Sequence, residues 1–350
     1  MPIAFEAMTK FLQALVRTKS LPGQEKSAIE MVARGMNDLG YDSIATDAYG
    51  TLTGVINGAH SGPTLLLDAH VDTVDIAPGV PWTHAPFDAV VENGRMYGRG
   101  TTDMKGPLAA MLYGAAAVDR TRLAGRIVFS VSVMEEVIEG YLLEPVVARF
   151  APDLVIIGEP SNMKLIHGSR GRAEILVTAT GQPAHSSLPA QGINAVHLMM
   201  AAIAAIENVP LPKHPEIGPA VLALTDIISE PYPGHSMIPS VCRATYDRRT
   251  LPGETAEQIG CAWEGLAGME RVRAKIATGR YTTYTGREIM VRKFFPAWYL
   301  DKGHELLQSA GDGLRSCGID VRPGIWPFNT NATYTAGLKN IPTIGFGPSK

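Results

Sequence analysis

Histidine and carboxylates gather where apolar runs of this chain end. The run TLLLDA leads into His70 and Asp72 of AHVDTVD, and the glycine-rich GRGTTDMKG presents Asp103. RIVFSVSV leads to Glu135 and Glu136, and DLVIIG leads to Glu159. Carboxylates brought together repel one another and resist losing water unless positive charge joins them. Arg99 and Lys105 are candidates for that role, but a pair of divalent ions supplies more charge in less space. Mixed imidazole and carboxylate ligation suits zinc, and cobalt or manganese fit similar sets. Alternation in an extended His70-Val71-Asp72 puts both polar side chains on one side, so Asp72 is placed to accept the imidazole N–H and fix the tautomer of His70. In a strand, Glu135 and Glu136 would face opposite ways, one toward a metal and the other toward the substrate's water. Each feature taken singly has an ordinary reading: a structural His–Asp pair, a solvated pair of glutamates, a glycine turn. GRGTTDMKG also lacks the GxxxxGKS/T form of a phosphate loop. Their joint occurrence after successive apolar runs outweighs those readings.

The elements that must carry these groups read as an alternation of helix and strand. Phe5, Met8, Leu12, Leu15 and Val16 share one helical face. A second helix is predicted over residues 24–39, stopping at Gly40. Strands are predicted at 51–56, 64–69, 126–133 and 153–157, and helices at 105–118 and 141–150. The nearly continuous apolar character of TLLLDA suits a strand covered on both faces. Functional groups in such layered folds collect beyond the carboxyl ends of strands. After Gly168 the rhythm changes. Strands at 172–179, 221–228 and 241–247, with helices at 193–206 and 254–266, read as a small α+β domain with one helix layer. The first rhythm returns after about Arg287, with a helix at 303–317 and the strand PTIGF. The expected organisation is a discontinuous α/β catalytic domain (1–169 and 287–350) and an inserted α+β domain (170–286).

Composition limits the alternatives. The chain has 350 residues, 45% hydrophobic and 19% charged, enough apolar material for two cores and unlike a disordered chain. A net charge of −3, with no run of basic residues, argues against a nucleic-acid partner. Mean hydropathy is +0.05, and no apolar run approaches the ~18–20 residues of a membrane span. The N-terminal residues mix charged and apolar types and offer no export signal, so a cytoplasmic location is expected. The three cysteines, Cys242, Cys261 and Cys317, are widely spaced and form no CxxC. Asn331-Ala332-Thr333 forms a glycosylation sequon, read as coincidental.

The landmarks LLLDAHVDTV, YGRGTTDMKGPLAAML, VMEEVIEG, IIGEPSN, GQPAHSS and YDRRTLPGE together resemble the co-catalytic zinc hydrolases related to aminoacylase, acetylornithine deacetylase, succinyl-diaminopimelate desuccinylase and carboxypeptidase G. Within that group the chain is most similar to the members associated with selenium-dependent purine catabolism clusters. The resemblance implies a mixed sheet sandwiched by helices, plus an inserted ferredoxin-like domain that forms a homodimer. It implies two Zn2+ per subunit, with Co2+ or Mn2+ as substitutes. His70 and Glu159 would hold one ion, Asp103 would bridge both, and Glu136 would hold the second. Asp72 would orient His70, and the peptide after Asp103 would be cis. Paired ions acidify water toward neutrality. Glu135 would take the proton of the attacking water and return it to the leaving amine. His185, in GQPAHSS, would support the oxyanion from the partner subunit. Arg249 would bind a substrate carboxylate, with a salt bridge as its ordinary reading and Arg248 as a competitor. The implied activity is hydrolysis of an amide or peptide bond in a small carboxylate-bearing molecule, an N-acyl amino acid or a dipeptide.

Two departures qualify the resemblance. Ser236-Met237-Ile238-Pro239 stands where relatives often carry Asn-x-Ile-Pro, and no histidine follows His304 to supply the last ligand of the second ion. A shortened form with low occupancy of the second metal site is therefore expected. A metal-impaired relative that binds small carboxylated ligands and an interaction scaffold are the alternatives. Intact Glu135 and His185 favour the hydrolase.

Overall fold

Strand His60–His70 is the spine of the first unit in this computed structural model, which describes residues 3–349. It pairs in parallel with Ala124–Ser132 on one side and Leu154–Ile157 on the other. Leu66, Val128, Phe129 and Val155 are completely buried along these strands, the condition that permits continuous apolar runs. The sheet runs from Ser43–Thr46 through Leu52–Asn57, Ala124–Ser132, His60–His70, Leu154–Ile157 and Thr343–Gly345 to Leu165–Ser169. Its edges pair antiparallel, so the sheet is mixed. Helix Phe5–Arg17 packs against Lys26–Asp38 and Gly106–Ala116. Gly106–Ala116 lies on the central strands His60–His70 and Ala124–Ser132, Lys26–Asp38 on Ser43–Thr46 and Leu52–Asn57, and Glu305–Ser316 beside Thr343–Gly345. Lys105 stabilises the end of the first helix. Its buried Nζ donates to Leu15 O (3.1 Å) and Thr18 O (2.7 Å), two carbonyls at the end of that helix. The chain also contains short elements that the sequence pattern does not announce, among them Ser43–Thr46 and the hairpin Val90–Glu92 with Arg95–Tyr97.

The chain divides into two units. One comprises the chain up to Gly168, Arg280–Val291 and the chain from Tyr299 on; the other comprises Ser169–Gly279 and Arg292–Trp298. The limits differ from a clean insertion of 170–286. Residues 280–291 belong with the first unit, where Tyr284 Oη donates to Gly50 O (3.0 Å) and Thr285 Oγ1 to Ala48 O (2.8 Å). Phe294–Phe295 then returns to pair with Gly171–Thr180 of the second unit. Hairpin docking of this kind depends on long-range hydrogen bonds that no local pattern encodes. The outermost positions of the expected domain limits, residues 1–2 and 350, lie outside the described residues.

The second unit is an antiparallel sheet in the order Val221–Glu230, Val241–Thr250, Gly171–Thr180, Val272–Ile276. Burial alternates strictly along Gly171–Thr180 and Val241–Thr250, as expected when one face is covered. Ile175, Val177 and Tyr246 meet Met199 of helix Ala195–Glu207 and Ile259 of helix Ala256–Cys261 in that core. The latter helix opens with a Thr255–Gln258 capping box and stops at Cys261, short of the predicted 266. No helix among the described residues is long and apolar enough to cross a membrane.

Candidate metal centre and active site

Parallel register delivers the chemistry. His70 lies opposite Ser132, and Asp68 opposite Ile157, so the three strands end at nearly the same level. The chain beyond each strand then supplies Asp72, Glu135 and Glu159 side by side, as expected at the carboxyl edge of such a sheet. Asp103 comes from the loop before helix Gly106–Ala116, and its peptide bond to Met104 is cis.

His70 is buried, with Nδ1 2.9 Å from the backbone oxygen of Asp72 and 3.5 Å from its Oδ1. The tautomer is therefore held by the Asp72 backbone carbonyl more closely than by the carboxylate that the sequence pattern suggests. The Asp72 carboxylate has a second task. Its Oδ1 and Oδ2 accept the backbone N–H of Glu135 and Glu136, each at 3.1 Å. Those two glutamates open a short helix, Glu135–Ile138, behind Met134 in the left-handed region (φ 58°). They are not in a strand, so the rule that neighbours face opposite ways does not apply.

With Nδ1–H donating to Asp72, a neutral His70 ring directs only a lone pair from Nε2. That atom lies 3.1 Å from Asp103 Oδ1, 3.3 Å from Glu159 Oε1 and 3.8 Å from Glu135 Oε2. One ligand atom each from His70, Asp103 and Glu159 falls within 4.8 Å of the others. Lone pairs converging at this range require a second proton on the ring or a cation among them. Burial alone would lower the His70 pKa, but Glu159, Asp103 and Asp72 outweigh it and hold it well above the usual value. Burial pushes the Glu135 and Glu159 carboxyls up, against the pull of His70, and neighbouring carboxylates add to the rise. Glu136 is pushed to about 7 by burial, with Asp103, Asp72 and Glu159 adding to it. One imidazole nitrogen and two carboxylates in this anionic setting form a donor set that fits zinc, cobalt or manganese.

Glu136 stands outside that three-residue group, and its Oε1 accepts the N–H of Val74 at 3.2 Å. His185 and Arg249 belong to the second unit. His185 is exposed, and its Nδ1 accepts the backbone N–H of Ser187 at 3.2 Å, which leaves the proton of a neutral ring on Nε2. Arg249 meets Asp247 through Nε (2.8 Å) and Nη2 (3.4 Å), and Arg172 meets the same carboxylate at 3.0 Å. Arg248 is buried against Glu254, a structural role.

Several residues escaped the sequence reading. Asp68, two positions before His70, is completely enclosed, and burial raises it to about 6. Its Oδ2 accepts from Asn331 Nδ2 at 2.8 Å, and the same amide donates to Ser132 Oγ at 2.8 Å. Asn331 Oδ1 in turn accepts the N–H of Gly140. The sequon asparagine is thus an internal strut with its amide fully used. An aspartate inside an apolar strand was the signal that such a partner must exist. Glu25, within the predicted second helix but not singled out there, is a further buried carboxylate.

A layered α/β fold carries this histidine–carboxylate cluster at its strand ends, a candidate cation site. Residues 66–350 match the family model described as peptidase family M20/M25/M40, and the chain belongs to that metallopeptidase family. It is similar to the uncharacterized protein YgeY of Escherichia coli K12, at 28% identity over 98% of this chain and 87% of the relative. It is 31% identical to acetylornithine deacetylase of Salmonella arizonae over 71% of this chain and 68% of the relative. A tripeptidase structure from Staphylococcus aureus superposes with a TM-score of 0.74 at 19% identity, covering 99% of this chain and 90% of that one. The Bacillus subtilis protein YXEP, titled a dinuclear metal binding peptidase, superposes at 0.67 with 15% identity, over 98% and 89% of the respective chains.

Proposed function

We propose that this hydrolase cleaves an amide or peptide bond in a small carboxylate-bearing substrate, an N-acyl amino acid or dipeptide, with Glu135 as general base. The observation that carries this reading is the convergence of His70 Nε2 on Asp103 and Glu159 with Glu135 Oε2 3.8 Å away. His70, Asp103 and Glu159 would hold one ion, and Asp103 with Glu136 would begin the site of a second. When bound, such ions supply positive charge for the carboxylates and acidify water. Glu135 suits proton transfer because burial and neighbouring anions raise its pKa above the ordinary glutamate range. It would take a proton from the attacking water and give it to the departing amine. Names among the relatives, acetylornithine deacetylase and tripeptidase, support both acylated amino acids and short peptides as substrate classes.

His185, with its proton on Nε2, has the donor an oxyanion needs. Arg249 would hold the substrate carboxylate, with Asp247 fixing one edge of its guanidinium. A homodimer through the second unit is part of this reading. Its support is the edge strand Val221–Glu230, which exposes Ile227 (48%) and Ile228 (47%). Sedimentation at several concentrations checks the dimer. The central test loads the protein with zinc, removes excess metal, counts bound ions, and measures turnover on N-acetyl amino acids and dipeptides. Metal-dependent turnover supports the proposal. Bound zinc without turnover on any member of the panel would overturn it in favour of a binding protein for small carboxylates.

A further inference from the structure

The turn that carries Glu135 is held from below by a residue remote in sequence. Glu25 is completely buried at the start of helix Lys26–Asp38. Its Oε1 accepts two backbone N–H groups, that of Gly23 at 2.9 Å and that of Met134 at 3.1 Å. Asp72 accepts the next two, those of Glu135 and Glu136. Three consecutive N–H groups, 134 to 136, are therefore taken by two buried carboxylates. Met134 needs such a hold, because its φ of 58° is a conformation that residues with a β-carbon seldom adopt. The loop before Glu25 also grips the other side of the site. Ser20 Oγ donates to Val71 O (2.7 Å), and Ser20 O accepts from Thr73 N (2.9 Å), on either side of Asp72.

We infer that Glu25 is a positioning residue for catalysis, fixing the Met134–Glu136 turn so that the Glu135 carboxyl stays beside His70. The inference rests on the role proposed for Glu135, and its test includes a readout independent of activity. Glu25→Ala removes the acceptor. Glu25→Gln keeps an Oε1 acceptor in a side chain of the same shape, and the amide mimics a carboxyl that burial pushes to about 7. Amide hydrogen exchange is followed by mass spectrometry in the zinc-loaded full chain. Loss of a hydrogen bond to a buried carboxylate is expected to speed exchange about tenfold in peptides spanning 133–138 for Glu25→Ala. Strands 124–132 and 60–70 should stay protected, and Glu25→Gln should exchange like the wild type.

In turnover, kcat should fall about tenfold in Glu25→Ala with KM and zinc content unchanged, and Glu25→Gln should restore it. Unchanged exchange at 133–138 in Glu25→Ala overturns the inference. Faster exchange spread evenly over the first unit also overturns it, because Glu25 would then be a general stabiliser. If no substrate is turned over by the wild type, the proposed function fails while the exchange result still decides whether Glu25 fixes the turn.

Discussion

Removing the metal and raising the pH should weaken this protein, the reverse of what paired carboxylates usually do. The reason lies in how many carboxyls the first unit encloses without adequate positive charge. Burial, with Asp72 adding to it, raises Glu25 from 4.5 to about 7. Burial likewise raises Asp68 to about 6. In the unfolded chain both release their protons near the ordinary carboxyl range, while the folded protein keeps them longer. The folded state therefore binds more protons between those limits, and stability falls as pH rises through them. Glu25 alone corresponds to ~3 kcal/mol across the range from 4.5 to about 7. Asp68 acts in the same sense over 3.8 to about 6. Glu136 does so too, with a smaller share because it is half-exposed and screened by water. His70 adds to the trend at higher pH, since its raised pKa stabilises the fold until that proton is lost. The assay is urea unfolding of chelated protein from about pH 4.5 to about pH 7.5, with a loss of at least ~3 kcal/mol expected. Zinc added at the upper end should restore ~3 kcal/mol at a hundred times its Kd. It should restore less at the lower end, where protons compete for the ligands. Glu25→Gln should flatten the chelated profile by its own share. A chelated protein whose stability rises through this range would refute the reasoning, because its buried carboxylates would then be better compensated than the geometry allows.

Four further outcomes follow from the same geometry. Glu135→Ala should lower kcat by ~10²–10⁴ while zinc content stays at the wild-type value, and near-normal turnover would remove Glu135 from its assigned role. Asn331→Ala strips partners from Asp68, Ser132 and Gly140, so urea unfolding should show a loss of ~2–4 kcal/mol. Expression of the wild type in a glycosylating host should leave its mass unchanged at Asn331, which is 3% exposed; a glycan there would contradict the burial. Arg249→Ala should raise KM for N-acyl amino acids about tenfold with kcat little changed, and an unchanged KM would leave Arg249 only its ion pair with Asp247.

The residue types at the ends of TLLLDA, RIVFSVSV and DLVIIG were enough to nominate His70, Asp72, Glu135, Glu136 and Glu159. Apolar runs ending in polar groups are a local property, and parallel strands convert them into a shared edge. The same local logic marks the second unit, whose alternating strands and apolar helices announce one covered face. Tertiary structure alone decided how the groups meet. Register set His70 Nε2 among Asp103, Glu159 and Glu135, and turned the Asp72 carboxylate toward the N–H groups of Glu135 and Glu136. Glu25, Asn331 and the docking of Tyr284 on Gly50 were beyond the sequence for one physical reason. Each satisfies a buried polar group across a gap of 109 to 263 residues, and the demand for a partner becomes visible only once folding has removed the water.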